Sequence, residues 1–274
     1  MEVTANTLTI NGLTHCYYRQ LSFTANAPLY IAIPGGPGLN HALFRPALEN
    51  LNGEVIYFDP PGTGSSSALC EQNNTFNMWL GHIEAFVKNI ADRPVVIICH
   101  SASVIVATKL ASTLPNVVDK LVIISPVLGG PDSLIKYIKE SSNPQYSAVA
   151  KALWLQKSVD ALPEYLQHVF PMYDPQPAPP SVLNNLTFNA DLFFTFVDAW
   201  LKENRQLNLG ILQQRCLVIL GDSDPFNHRI NVNHIAHQLA SAQQVSYTNA
   251  GHNLMLHHSE RLTQDIEKFV SACS

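Results

Sequence analysis

The sequence predicts an α/β protein in which a mostly parallel sheet is flanked by helices and interrupted by an inserted helical segment. Short strand-like stretches that are rich in apolar residues occur at 29–33, 54–58, 94–98 and 120–125. Segments with helical spacing of apolar residues lie between these runs. Strands alternating with helices in this way are typical of a parallel sheet that is buried on both faces. The alternation stops after Pro126, which predicts that the following segment is separate from the sheet.

The first strands and helices can be assigned in order. Residues 7–20 contain two alternating stretches with Asn11-Gly12 between them, which predicts an antiparallel hairpin. Helices are expected at 41–50, 75–92 and 104–114. The second has the clearest helical spacing, with apolar residues at Phe76, Trp79, Leu80, Ile83, Phe86, Val87 and Ile90.

Residues 128–212 contain no convincing strand pattern. They include several helix-like stretches, many aromatic residues, and a loop at 171–180 with five prolines. We therefore expect a helical cap at 128–212, inserted into a core that consists of 1–127 and 213–274. In the second part of the core, the patterns predict a strand at 215–220, a helix near 230–239, a strand near 244–248 and a final helix at 259–272.

The composition excludes several classes of partner. The net charge is −5 and only 14% of residues are charged, which argues against nucleic acid and against an anionic membrane surface. The apolar runs are shorter than the roughly 20 residues of a membrane helix. We expect a soluble, cytoplasmic protein without a secretory signal. Its five scattered cysteines are expected to be free thiols in a reducing compartment. The expected partner is a small-molecule substrate. The sequence leaves the oligomeric state open.

The pentapeptide Cys99-His100-Ser101-Ala102-Ser103 lies between an apolar run and a helical segment. A serine at such a junction, with small residues two positions before and after it, is the pattern of a nucleophile elbow. Bulkier flanking residues would collide with the neighbouring strand and helix. Ser101 is therefore the predicted nucleophile. The alternative is a strand, a serine and a helix without chemistry, since Cys99 and Ser103 replace the two usual glycines.

A serine nucleophile needs a base and a third group that orients the base. Asp224 follows the run at 215–220, and His252 follows the last predicted strand. Loops beyond the carboxyl ends of parallel strands emerge at one edge of the sheet, so both residues can meet Ser101 there. The order Ser, Asp, His is the one expected of this architecture.

With these motifs in place, the chain resembles the α/β-hydrolase superfamily from end to end, and within it the proline iminopeptidase-like group. The closer resemblance rests on two stretches. PGGPG at 34–38 is similar to the His-Gly-Gly-Pro-Gly loop of those enzymes, and DPPGTGS at 59–65 is similar to their Asp-x-x-Gly-x-Gly-x-Ser turn. The resemblance implies an oxyanion hole formed by the backbone amides of Gly36 and Ala102, and chemistry without a cofactor.

Several residues have competing interpretations. Asp222 is an alternative to Asp224 as the acid of the triad. The resemblance favours Asp224, because the family places its acid three residues after the glycine that corresponds to Gly221. His257 and His258 are alternatives to His252, which has the loop context. Asp59 is interpreted as a brace for its glycine turn. A metal site is a further hypothesis, because histidines lie close together in sequence at His228, His234, His237, His257 and His258.

The predicted function is hydrolysis of an ester or thioester of a small to medium, partly apolar substrate. The alternative is a proline iminopeptidase-like amide hydrolase, for which the cap would supply a carboxylate to hold the substrate's amino terminus. The candidates are Glu140, Glu164, Asp174 and Glu203. A cofactor-free haloperoxidase or a carbon–carbon hydrolase would use the same three residues. A non-catalytic ligand-binding protein on the same fold is the hypothesis from another class.

Overall fold

The computed structural model of the protein describes residues 2–22, 24, 26–128, 130–227 and 242–272. Over these ranges the chain forms one eight-stranded sheet. Its strands in chain order are β1 Val3–Ile10, β2 Leu13–Gln20, β3 Leu29–Ile33, β4 Glu54–Phe58, β5 Val95–His100, β6 Val118–Ile124, β7 Arg215–Gly221 and β8 Gln243–Tyr247.

The strands lie side by side in the order β1-β2-β4-β3-β5-β6-β7-β8. The pairs β1/β2 and β2/β4 are antiparallel, and the remaining pairs from β4 to β8 are parallel. This confirms the predicted α/β fold class with its mostly parallel sheet. The N-terminal hairpin is also confirmed, and Asn11 and Gly12 have the positive φ values of 50° and 78° that a tight hairpin turn requires.

The central strands are mainly apolar because both of their faces are buried. Ile31 and Ile97 contribute to one hydrophobic cluster, while Tyr30 and Val96 contribute to another on the opposite face. The helices outside the segment between β6 and β7 are α1 Arg45–Leu48, α2 Phe76–Ile90, α3 Val104–Thr113, α9 Leu254–His257 and α10 Ser259–Ser271. Helices α2 and α3 cover the first face, and α1, α9 and α10 cover the second.

The prediction of one continuous helix at 41–50 is wrong. The chain forms a 3-10 turn at His41–Leu43, capped by the side chain of Asn40, and then the short helix α1. Pro46 explains the break, because it has no amide hydrogen to donate to the carbonyl oxygen of Ala42. The helix predicted at 230–239 lies outside the described residues.

Between β6 and β7 the described residues form helices and no extended strand. These are α4 Asp132–Glu140, α5 Tyr146–Trp154, α6 Leu162–Glu164, α7 Pro180–Leu183 and α8 Ala190–Gln206, with a π-helical turn at Tyr165–Val169 and a 3-10 turn at Phe170–Tyr173. An isolated bridge joins Leu39 to Phe188. The aromatic ring of Phe196 on α8 packs 5.8 Å from the rings of Phe76 and Trp79 on α2, so the two parts of the chain share a core. Across the described residues, no helix is both long and apolar enough to cross a membrane.

Candidate active site

Ser101 lies directly after β5, where the chain turns sharply into α3. Its φ of 58° is in the left-handed region, which a non-glycine residue seldom adopts. Space around the turn is tight, since a side-chain carbon added at Gly35 would lie 3.1 Å from the Cβ of Ser101. This strained serine between strand and helix has the geometry of the elbow that the sequence predicts.

Ser103 stabilises this turn with its hydroxyl group. Its Oγ accepts a hydrogen bond from the backbone amide of His100 at 3.0 Å. The same oxygen lies 2.7 Å from the carbonyl oxygen of His100 and 3.0 Å from that of Ile33 on β3. The side chain at this position is therefore small enough to fit against β3, and it also bonds across the turn.

The structure brings Ser101, His252 and Asp224 together at the carboxyl ends of β5, β8 and β7. Ser101 Oγ lies 2.8 Å from His252 Nε2, and His252 Nδ1 lies 2.9 Å from Asp224 Oδ2. A carboxylate can only accept, so Nδ1 carries the hydrogen and Nε2 accepts from the serine hydroxyl. The three side chains form one hydrogen-bonded chain although they are widely separated in sequence.

Asp224 is held rigidly and is almost entirely buried, with 3% of its surface exposed. Its Oδ1 accepts a bond from the amide of Phe226, and its Oδ2 accepts one from Asn227 Nδ2, both at 2.8 Å. The alternative acid, Asp222, is exposed and accepts from Ser223 Oγ. No contact joins Asp222 to His252 among the described residues, so the geometry favours Asp224.

His100 is buried beside the serine and is not merely its neighbour in sequence. Its Nε2 donates a hydrogen bond to the main-chain carbonyl oxygen of His252 at 3.1 Å. Burial, together with the nearby His252, lowers the pKa of His100 well below its ordinary value, so the ring stays neutral. Its Nδ1 has no partner among the described residues.

Gly36 and Ala102 both line the pocket in which Ser101 lies. Gly36 has a φ of 114°, and a side-chain carbon there would lie 2.8 Å from the amide nitrogen of Gly38, so only glycine fits without strain. The carbonyl oxygen of Ala102 accepts a bond from Trp200 Nε1 at 3.1 Å, which fixes the peptide on the other side of that residue. That these two backbone amides bind an oxyanion remains a prediction.

The pocket has a volume of about 510 Å³ and lies between the sheet and the helices that follow β6. Its lining is mainly apolar and includes Leu153, Leu162, Phe170, Leu183 and Phe193. No lysine or arginine lines it within the described ranges. A pocket of this size and character fits a small to medium, largely apolar ligand.

Tyr173 and Asp174, in the proline-rich loop, hold the segment that carries His252. The backbone carbonyl oxygen of Tyr173 accepts from the amide of His252 at 2.9 Å. The two carboxylate oxygens of Asp174 accept from the amide of Asn253 at 2.8 Å and from its Nδ2 at 2.6 Å. The sequence identifies Asp174 only as one of four candidate carboxylates, because its proline-rich surroundings have no periodicity from which the direction of its side chain could be predicted.

Two further predictions from the sequence concern the role of Asp59 and a metal site. Asp59 does brace its glycine turn, because its Oδ1 accepts from His41 Nδ1 at 2.7 Å and its Oδ2 accepts from the amide of Ser65 at 3.3 Å. His228, His234 and His237 lie outside the described residues. Elsewhere, no group of three or more His, Cys, Asp or Glu side chains is placed to hold a metal ion.

Comparisons with known proteins agree with this architecture. A solved loop variant of a haloalkane dehalogenase from Bradyrhizobium elkanii superposes with a TM-score of 0.78 at 12% identity, covering 99% of this chain and 97% of that one. A proline iminopeptidase-related protein from Thermus thermophilus gives 0.78 at 17% identity, with 99% and 98% covered. The thioesterase domain from the curacin biosynthetic pathway gives 0.65 at 19% identity, with 97% and 99% covered.

These likenesses concern the fold, because the identities are low. No curated protein gives a significant sequence match to the chain. The sequence profile of the alpha/beta hydrolase family, however, matches residues 31–264, which span all the parallel strands except the first two residues of β3. The chain therefore belongs to the alpha/beta hydrolase family.

Proposed function

We propose that the protein is a serine hydrolase that cleaves an ester or thioester bond of a small to medium, partly apolar substrate. The observation that carries this proposal is the hydrogen-bonded chain from Ser101 through His252 to Asp224 at the apolar pocket. A serine hydroxyl is a weak nucleophile unless a neighbouring base removes its proton, and here the base is in contact with it.

The reaction has two stages. His252 Nε2 takes the proton of Ser101 as Oγ attacks the carbonyl carbon, and Asp224 stabilises the imidazolium ion through Nδ1. The imidazolium then protonates the leaving group, which departs and leaves an acyl group on Ser101. A water molecule, activated by the same imidazole, hydrolyses that acyl-enzyme and restores the serine.

The negative oxygen of each tetrahedral intermediate needs donors. The backbone amides of Gly36 and Ala102 are proposed for this role, because both residues line the pocket beside Ser101. One such donor is worth about 3 kcal/mol of transition-state stabilisation. We also propose that 128–212 acts as a cap over 1–127 and 213–274, since its side chains provide most of the apolar lining.

The test is a substrate panel: p-nitrophenyl esters from acetate to octanoate, an acyl thioester, and proline p-nitroanilide. The expected result is ester or thioester turnover that falls at least about a thousandfold in Ser101→Ala. The matched control is Ser271→Ala, on the surface of α10, which should keep full activity. Turnover that is equal in Ser101→Ala and wild type would contradict the proposal.

A second candidate is cleavage of an amide next to a free amino terminus. The observation that favours it is Asp174, which lines the pocket, whereas Glu140, Glu164 and Glu203 do not. Both of its oxygens already accept bonds from Asn253, but a carboxylate has capacity for more. If this candidate is right, Asp174→Asn, which removes the charge but keeps an acceptor for the amide of Asn253, abolishes turnover of proline p-nitroanilide while it reduces ester turnover far less.

A further inference from the structure

Three aromatic side chains in the pocket form a chain of hydrogen bonds. Trp154 Nε1 donates to the hydroxyl oxygen of Tyr165 at 2.8 Å, and the hydroxyl of Tyr165 is hydrogen-bonded to that of Tyr173. All three residues line the pocket. Tyr165 and Tyr173 are buried, with 4% and 7% of their surfaces exposed, so their hydroxyl groups have few other places to find partners.

Either tyrosine hydroxyl can donate in the bond between Tyr165 and Tyr173, and the contact with Trp154 favours one of the two directions. An indole N–H can only donate, so the oxygen of Tyr165 is an acceptor in its bond with Trp154. Accepting a bond makes a hydroxyl a better donor, which favours donation from Tyr165 to the oxygen of Tyr173. The hydroxyl hydrogen of Tyr173 then has no acceptor among the described residues.

Tyr173 lies beside the proposed catalytic base. Its ring is nearly perpendicular to the imidazole of His252, at 84°, with the ring centroids 5.5 Å apart. It is also perpendicular to the ring of Phe226 at 5.0 Å, so the phenol is held on two sides. Burial raises the pKa of both tyrosines, which keeps their hydroxyl groups protonated at neutral pH.

Apart from the exposed side chain of Gln176 and the Nδ1 acceptor of His100, the other polar side chains of the lining bond to protein groups. Asp174 and Asn253 bond to each other, and His100 donates to the backbone of His252. The lining also lacks lysine and arginine over the described ranges, so it offers no countercharge to an anionic ligand. The Tyr173 hydroxyl therefore stands out as an oriented neutral donor in mainly apolar surroundings.

We propose that Tyr173 is a specificity-determining residue whose hydroxyl donates a hydrogen bond to an uncharged acceptor oxygen in the acyl part of the substrate. This inference rests on the proposed function and adds to it that the acyl group of the substrate lies in the pocket. The substrate class is then a neutral acyl ester that carries a ketone or ether oxygen, and not a plain hydrocarbon chain. Tyr165 and Trp154 act as positioning residues, because they direct the donor.

The experiment compares matched esters that differ in one group. The p-nitrophenyl esters are hexanoate, 5-oxohexanoate, 4-oxahexanoate and 5-oxahexanoate, and the readout is the kcat/KM of each oxygenated ester divided by that of hexanoate. At least one ratio should fall about fivefold in Tyr173→Phe, which keeps the ring beside His252 and removes only the hydroxyl group. Differences in chemical reactivity between the esters cancel, because they are the same for both enzymes.

Two further variants separate orientation from packing. Tyr165→Phe keeps the Tyr173 hydroxyl but removes the group that orients it, so the same ratio should fall in part. Tyr247→Phe is the matched control, because Tyr247 is a buried tyrosine whose hydroxyl donates to Asp265 and which does not line the pocket. Its ratio should equal that of wild type.

A binding measurement keeps this inference distinct from the proposed function. In Ser101→Ala, the methyl esters of the same acids are titrated by ligand-observed NMR, and the ketone stretch of methyl 5-oxohexanoate is followed by infrared spectroscopy. We expect tighter binding of at least one oxygenated ester, and loss of that preference in Ser101→Ala/Tyr173→Phe. A ketone that binds should show a lowered stretching frequency. If hydrolysis fails but this preference is present, only the proposed function is contradicted. Equal binding, or no binding of any oxygenated ester, would overturn the inference.

Discussion

The imidazole of His100 holds the backbone of His252: its Nε2 lies 3.1 Å from the carbonyl oxygen of His252 and donates to it. The residue next to the proposed nucleophile thus fixes the loop that carries the proposed base. Because this loop carries His252, a shift of the loop would also move His252 Nε2 away from Ser101 Oγ, which lies 2.8 Å from it.

Replacing His100 with Phe should lower kcat about tenfold. Phe keeps an aromatic ring against Phe44 but leaves the carbonyl oxygen of His252 buried without its donor, which costs about 1–3 kcal/mol. His100→Gln is the matched variant, because its side-chain amide can donate from a similar position, and it should retain most activity. Steady-state kinetics with p-nitrophenyl butyrate measures both. Equal loss in the two variants would mean that ring packing, and not the hydrogen bond, matters.

Asp224→Asn should reduce kcat about ten-thousandfold with the fold intact, because an amide in place of the carboxylate favours the wrong tautomer of His252. Asp222→Asn should change kcat by less than about twofold, since Asp222 accepts from Ser223 Oγ and, at 3.4 Å, from the amide of Ala250 but does not contact the imidazole, and Asn keeps an acceptor oxygen. The kinetics of the two variants are compared at one pH, with circular dichroism to check folding. A larger loss in Asp222→Asn would show that the wrong aspartate is assigned.

Ser103→Ala should lower the free energy of unfolding by about 1–3 kcal/mol, because it removes the acceptor of the buried His100 amide. Ser271→Ala provides the control, since its Oγ makes only an exposed contact to Lys268 at 3.3 Å and its loss should have little effect. Urea denaturation measures both. Equal stability of Ser103→Ala and wild type would show that small size alone is what the turn requires.

His15 should make the protein sensitive to acid. Its side chain is fully buried and neither ring nitrogen has a partner among the described residues. Burial, and secondarily His82, lowers its pKa from 6.5 to about 4. The unfolded chain therefore takes up a proton first as the pH falls below about 6.5, so stability is lost between that pH and about 4.

Over that range, His15 alone accounts for a loss of about 3 kcal/mol in the free energy of unfolding. His15→Phe removes the titrating group and keeps a ring among Phe58 and Phe86. Urea denaturation at a series of pH values should give a flatter profile for this variant. The same slope in both proteins would mean that another group causes the acid sensitivity.

The sequence predicts best those features of the molecule that follow from burial and from the order of the strands. The sequence predicts the strands at 29–33 and 54–58 with their observed bounds, because both faces of the sheet are covered and these stretches are apolar apart from Glu54, which is paired with Arg19 and Arg93. Asp224 and His252 could be placed at the same edge as Ser101 for a similar reason, since parallel strands bring their carboxyl ends together.

The sequence does not predict the contacts between the sheet and the irregular segment that joins β6 to β7. Tyr173 and Asp174 are in a proline-rich loop without periodicity, and their contacts with His252 and Asn253 arise only in the folded chain. The helix expected at 41–50 is interrupted for a local reason, because Pro46 has no amide hydrogen for the helical hydrogen bond. Helical spacing predicts which face of a helix is buried, but the missing amide hydrogen of Pro46 determines where this helix begins.

Covalent labelling tests directly whether Ser101 is an activated nucleophile. Folded protein is treated with a fluorophosphonate probe and analysed by intact-protein mass spectrometry, followed by peptide mapping. One adduct per chain on Ser101 is expected in wild type and in Ser271→Ala, and none in Ser101→Ala, because the contact with His252 makes this one serine reactive. An unlabelled wild type, or an adduct that persists in Ser101→Ala, would contradict the assignment of Ser101 as an activated nucleophile.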